Sequence, residues 1–235
     1  MATGPSPNRT DMISQEQLFL DGEADAWMQR NPSALEIAGP EHPVLAALAA
    51  QELPDTGALL DLGGAAGRVA AGFLRDHAGW SATVVEPSGV AIASGSAAFP
   101  AVHYVQGSIT SAAAALAGQQ AFDVVVICGV LCWIDRACLS RAVASADAAL
   151  RDGGLLVVCD FDAPFPRANP YAHRPGIFTY KQDYPACFMA LGLYHMLHRS
   201  SFAHGSGADA SDPYDRQWVT TVMRKDLFGR YARNT

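Results

Sequence analysis

The segment Ala58-Leu59-Leu60-Asp61-Leu62-Gly63-Gly64-Ala65-Ala66-Gly67-Arg68 decides how this chain is read. Ala58 to Asp61 forms an apolar strand with a carboxylate at its end. Gly63 to Gly67 makes a tight loop, and a helix is predicted from Gly67 to His77. The glycine spacing separates two classes of ligand. A dinucleotide fingerprint, G-x-G-x-x-G, counted from Gly63, requires a glycine at position 68. Arg68 stands there, and the pattern present is D-x-G-x-x-x-G.

A pyrophosphate on the N-terminus of that helix must not share its N–H groups with a nearby carboxylate. Asp61 therefore disfavours an anionic ligand and suits one with positive groups, such as an ammonium and a sulfonium. Ala65 lies between the glycines, and negative φ is expected of it. Gly63 or Gly67 should take whatever positive φ the loop needs.

Outward from this segment, β-rich runs alternate with alanine-rich helical stretches. Strands are predicted at Ala58–Asp61, Ala82–Glu86, Val102–Gln106, Phe122–Cys128 and Leu155–Asp160. Their apolar runs are continuous, as expected of parallel strands covered on both faces. Helices are predicted at 67–77, 89–97, 112–116 and 135–150, the last closed by Arg151-Asp152-Gly153-Gly154 as a C-cap. Two later runs, Tyr194–Ser200 and Trp218–Arg224, read as an antiparallel hairpin across the polar loop His204 to Arg216. The fold class is thus α/β, a Rossmann-like doubly wound sheet. Ligands of such sheets bind beyond the carboxyl ends of the strands.

Composition narrows the function. The 235 residues are 50% hydrophobic and 17% charged, which predicts a packed core. A net charge of −7, with no basic run beyond Arg224-Lys225, argues against nucleic acid as a partner. Val124 to Leu131 is too short to span a bilayer. The N-terminus lacks an apolar leader, so a cytoplasmic protein is expected. Five cysteines without a C-x-x-C pair fit reduced thiols and no structural zinc. Among the sixteen basic residues only Lys181 and Lys225 are lysines, a usage expected of a GC-rich bacterial genome.

Three further features follow the later strands. Glu86-Pro87-Ser88 places an acid where both hydroxyls of a ribose can be held. Gly107-Ser108-Ile109 lies after the third strand. Cys128-Gly129 closes the fourth. With Asp61 and its loop, these resemble the class I S-adenosylmethionine-dependent methyltransferases from about Ala58 to Asp160. The N-terminal run Ser14 to Asn31, ending Trp27-Met28-Gln29-Arg30-Asn31, is loosely similar to methylases of sugar and glycan pathways.

The resemblance implies S-adenosyl-L-methionine as cofactor. It implies Gly63, Gly64, Ala65 and Gly67 at the amino-acid half, Glu86 and Pro87 at the ribose, and Ser108 and Ile109 at the adenine. Cys128 and Gly129 would lie beneath the ligand. Trp27 and Arg30 are the candidates to close over it and to meet its carboxylate. Two departures stand out: the family's middle glycine is Ala65, and its common adenine-binding Asp is Ser108.

The expected layout is a tail at 1–12, a helical cap at 13–50, and the domain at 51–235 with a lid at about 162–192. In that lid a helix from Thr179 to Leu191 is predicted, capped by Thr179 with Gln182. Because the lid follows the fifth strand, His173 is the candidate general base, assisted by Tyr180. Arg174 and Lys181 are candidates for an anionic group of the substrate, with Trp133 and Tyr184 beside them. Asp160 and Asp162 flank Phe161, but without a further acid no metal is expected.

The predicted reaction is methyl transfer to an oxygen or nitrogen of a small metabolite, such as an anionic sugar or natural-product intermediate, by a monomer or homodimer. Two rivals are an NAD-dependent oxidoreductase and a non-catalytic S-adenosylmethionine-binding protein.

Overall fold

The computed structural model describes residues 14–203, 216–229 and 231, so the predicted tail at 1–12 and most of the His204 to Arg216 loop lie outside them. Five parallel strands carry the domain: β1 (Gly57–Leu62), β2 (Trp80–Glu86), β3 (Val102–Gln106), β4 (Phe122–Cys128) and β5 (Leu150–Phe161). A separate hairpin pairs β6 (Arg167–Pro170) with β7 (Phe178–Lys181). Then β8 (Tyr194–Ala203) and β9 (Gln217–Lys225) extend the main sheet. Its order is β3-β2-β1-β4-β5-β9-β8, with β9 antiparallel to both neighbours.

The period of two along each strand splits the core between the two faces. Leu60, Leu62, Val125, Ile127, Leu156 and Val158 pack on one face, together with Tyr184, Phe188 and Tyr194. Leu59, Val124, Val126, Leu155, Val157 and Cys159 pack on the other, with Phe73, Trp80 and Trp218. Burying such a side chain contributes about 1.5–3 kcal/mol, which is why these strands read as unbroken apolar runs.

Helices α1 (Gln15–Leu18) and α2 (Ala24–Arg30) precede the sheet, joined by a wide turn in which Gly22 takes φ +123°. A short 3₁₀ turn at Pro32–Leu35 follows the break at Asn31, then α3 (Pro43–Ala49). The crossovers carry α4 (Arg68–Asp76), α5 (Gly89–Ala98), α6 (Ala112–Ala115) and α7 (Leu139–Ala149), and α8 (Pro185–Met189) follows the hairpin.

Two expected helices change. The one predicted at 135–150 starts only at Leu139, and β5 begins at once at Leu150. Gly153 does adopt positive φ, +75°, but inside the irregular start of β5 rather than as a helix cap. Of the helix predicted from Thr179 to Leu191, only α8 at Pro185–Met189 forms. Thr179 lies in β7, its hydroxyl donating to the Asn169 carbonyl at 3.4 Å. The aromatic, β-branched run Phe178-Thr179-Tyr180 favours a strand once β6 offers it a partner.

Candidate active site

A cavity of about 760 Å³ opens over the carboxyl ends of the strands, walled by the first loop, the N-terminal helices and the β6–β7 hairpin. The β1 loop sets its floor. Gly67 starts α4 with φ +82°, and a side chain there would strike the Tyr104 hydroxyl. A Cβ on Gly64 would lie 2.5 Å from Asp61 Oδ2, so only glycine lets the chain pass over that carboxylate. Gly63 takes φ +74° as expected.

Ala65 does not take negative φ: it sits at +49°, the left-handed region, alone among the described non-glycine residues. Its N–H donates to Glu86 Oε2 at 2.9 Å, which fixes the turn. Its methyl group packs with Trp27 against Met28, Ala34, Ala66 and Ala91. Left-handed backbone costs an L-residue roughly 1–2 kcal/mol, so these contacts hold a strained alanine in place.

Both acids at the loop are buried. Asp61 is 1% exposed, and its Oδ2 has no hydrogen-bond partner. Burial, with Glu86 close by, pushes its pKa up to about 7. Glu86 accepts from the Ser88 and Ala65 N–H groups, each at 2.9 Å. Burial outweighs those bonds and also raises it to about 7. An unpartnered buried carboxylate is a costly arrangement that a cationic ligand relieves. Beyond β3, the Ser108 hydroxyl donates at 2.7 Å to Glu16 of α1, a residue not anticipated at the site.

The other side of the cavity is aromatic and carries little charge. Phe19, Trp133, Phe161, Tyr171, Phe202 and Trp218 line it, beside Cys128, Cys132 and Cys159. Burial raises the Cys132 thiol well above its usual range. Contact with Cys159, then burial, does so for Cys128. Such thiols are poor nucleophiles. His42 and Arg68 also reach the wall, and burial with Arg68 nearby lowers His42 to about 4, leaving its imidazole neutral.

Of the predicted residues, Trp27, Asp61, Gly63, Gly64, Ala65, Glu86, Pro87, Ser108, Ile109, Cys128, Gly129 and Trp133 border the cavity. Arg30, Gly67, His173, Arg174, Tyr180, Lys181 and Tyr184 are not among the described residues that line it. Each has another engagement. Arg30 pairs with Glu23 and donates to the Tyr171 hydroxyl at 2.9 Å. Arg174 lies 3.5 Å from the same Glu23 and donates to the Leu18 carbonyl. The His173 ring meets Tyr171 edge-on at 5.1 Å. Tyr180 lies under the Arg136 guanidinium, and its carbonyl accepts from the Tyr184 hydroxyl. Lys181 is buried over the Phe161 ring. Tyr180 and Lys181 belong to β7, paired with Ala168 and Arg167, in place of the predicted helix.

Nor do Asp160 and Asp162 act together. Asp160 accepts from the Phe161 and Cys132 N–H groups, while Asp162 pairs with Arg199.

The family model of a methyltransferase domain matches residues 36–204, most of the chain and all five parallel strands. The chain belongs to that family. The methyltransferase has the class I fold, as its solved neighbours bear out. A 1,6-didemethyltoxoflavin-N1-methyltransferase from Burkholderia thailandensis matches with TM-score 0.62 and 15% identity, over 96% of this chain and 93% of that one. The N-methyltransferase NodS from Bradyrhizobium japonicum matches with TM-score 0.53 and 17% identity, over 84% and 97%. The glycopeptide N-methyltransferase MtfA gives 0.55 and 16%, over 80% and 95%. No curated protein matches the methyltransferase in sequence. Among its described residues, no helix is long and apolar enough to cross a membrane.

Proposed function

We propose that this methyltransferase holds S-adenosyl-L-methionine across β1, β2 and β3 and methylates a flat, largely uncharged small molecule seated against β4, β5, β8 and β9. The observation that carries the cofactor reading is Asp61 Oδ2, buried without a partner beside a glycine loop. An ammonium group supplies what that oxygen lacks. Glu86, one strand over, is placed for the ribose hydroxyls. Arg68 replaces Arg30 as the cation for the methionine carboxylate, because it reaches the cavity wall and Arg30 is held by Glu23.

The loop argues against a dinucleotide. Its Ala65 N–H is given to Glu86, its Gly67 N–H to the Gly64 carbonyl and its Gly63 N–H to the Val85 carbonyl. A pyrophosphate needs such amides free.

The bound cofactor supplies an electrophilic methyl group on a sulfonium sulfur. The chain's own contribution is to position and to exclude water. Holding two reactants in line can lower the barrier by ~7–11 kcal/mol, and the aromatic wall keeps the acceptor in a dry slot. No lysine lines this wall among the described residues, and His42 at about 4 is a weak base. That favours an acceptor bringing its own free lone pair at neutral pH, an amine or ring nitrogen. The N-methyltransferase names of three similar structures support the same choice. The anionic sugar loses its support, since Arg174 and Lys181 are engaged elsewhere. The cap at 13–50 and the hairpin within 162–192 act together as the cover.

The test is binding followed by transfer. S-adenosylhomocysteine should raise the melting temperature and NAD should not. Radiolabelled methyl should then pass to planar amines in preference to sugar acids. A melting shift with NAD alone would overturn the reading. Binding of S-adenosylhomocysteine without transfer to any planar amine would favour a non-catalytic binder.

A further inference from the structure

The end of β3 presents an unusual cluster. Glu16, from the N-terminal helix α1, lines the cavity there, and its Oε1 accepts from the Ser108 hydroxyl at 2.7 Å and from the Thr110 hydroxyl. The Ser108 oxygen also lies 2.9 Å from the Thr110 hydroxyl and 3.2 Å from the Ser111 hydroxyl, so with its proton committed to Glu16 what it has left for the cavity is a lone pair. A carboxylate has about four acceptor sites, so capacity remains after these bonds. The corner therefore accepts hydrogen bonds and donates none from these two side chains. A group that fits it must be a donor.

Position says which donor. Asp61 and Glu86 lie at the carboxyl ends of β1 and β2 and Ser108 just beyond β3, three adjacent strands, so they span about 10 Å at the usual strand spacing. If the ammonium lies at Asp61 and the ribose at Glu86, connectivity sends the purine base toward Ser108. The donor on the edge of that base is its exocyclic amine.

We propose that Glu16, not a residue of the sheet, reads the adenine amine, accepting one proton itself and orienting Ser108 to accept the other. The cofactor's base is thus recognised by the cap, and the base site is complete only with α1 docked. This inference rests on the cofactor reading above.

Isothermal titration calorimetry with two probes separates them: S-adenosylhomocysteine, and its 6-deamino analogue, in which hydrogen replaces the amine. Wild type should bind the former roughly tenfold tighter or more, the usual worth of a hydrogen bond to a charged group. Glu16→Ala should bring the ratio near one, and Glu16→Gln should leave it at about threefold or less, since a neutral acceptor is weaker. Thr110→Val removes another partner of Glu16 but should keep the wild-type ratio. The ratio is insensitive to a general weakening of the fold. Equal loss for both probes in the Glu16 variants would make Glu16 a clamp for α1 and overturn the proposal. Failure of wild type to bind either probe would instead overturn the cofactor reading itself.

Discussion

Gln15 clasps the backbone of Phe178: its side-chain carbonyl accepts from the Phe178 N–H at 2.9 Å, and its amide donates to the Phe178 carbonyl at 2.8 Å. The same amide nitrogen donates to the Trp133 carbonyl at 2.7 Å. Gln15 is 3% exposed, so these bonds lie away from water. One side chain of the cap thereby fastens β7 and the start of the aromatic wall. Glu23 adds a second tie through Arg30 and Arg174.

Gln15→Ala should loosen that cover. It leaves a buried N–H and two carbonyls short of partners, at about 1–3 kcal/mol for each group that water does not reach. Amide hydrogen exchange at Phe178 should accelerate, while exchange in β4 and β5 stays as in wild type. Unchanged exchange at Phe178 would show that the hairpin is held by other contacts.

Asp61 and Glu86 should make stability depend on pH in an unusual direction. Both are raised to about 7 by burial. Between roughly pH 4 and 7 the folded protein keeps protons that the unfolded chain has released. The ligand-free protein should therefore be most favoured by this pair below the ordinary carboxylate pKa, and lose that contribution as pH rises through about 7. Urea melts across this range test the sign.

The same two acids should couple binding to protons. A cationic ligand at Asp61 favours the carboxylate form, so S-adenosylhomocysteine binding at about pH 6 should release protons, and at about pH 8.5 almost none. Calorimetry in buffers of different ionisation enthalpy reads the number directly. An identical heat in every buffer at the lower pH would contradict the role given to Asp61.

Asp61→Asn should separate stability from binding. Above about pH 8 it removes an unpaired buried charge, so the ligand-free melting temperature should rise or hold. Affinity for S-adenosylhomocysteine should fall by roughly tenfold or more, the worth of a charge-assisted hydrogen bond. Loss of both would assign Asp61 to the fold alone.

Ala65 gives a local test. Ala65→Val puts a β-branched residue at φ +49° and should destabilise by about 2 kcal/mol or more. Ala65→Gly relieves the backbone but gives up methyl packing and adds chain entropy. Its stability should stay within about 1 kcal/mol of wild type. Thermal melts of both variants suffice.

Particular residues mark what could be read in advance. The five parallel strands followed from apolar runs of the right length, because parallel strands buried on both faces leave that pattern locally, whereas their order in the sheet did not. Asp61 and Glu86 were legible since each ends its own strand, and strand ends define the ligand side of such a sheet. Glu16 was not. It lies 92 residues from Ser108, and its one sequence clue is the missing acid at position 108. His173 and Arg174 were proposed from the position of the lid after β5, and they lie in the turn between β6 and β7. Lys181 was expected on a helix and lies in β7, paired with Arg167.

The sequence alone thus determined the α/β class, the D-x-G-x-x-x-G loop and the acids at its strand ends, all written in short-range spacing. Only the tertiary structure decided the φ of Ala65, the pairing of the lid, the clasp of Gln15 on Phe178 and the arrival of Glu16 at β3. Each of those depends on which distant partner a backbone amide or a carboxylate finds, and no local pattern encodes that choice.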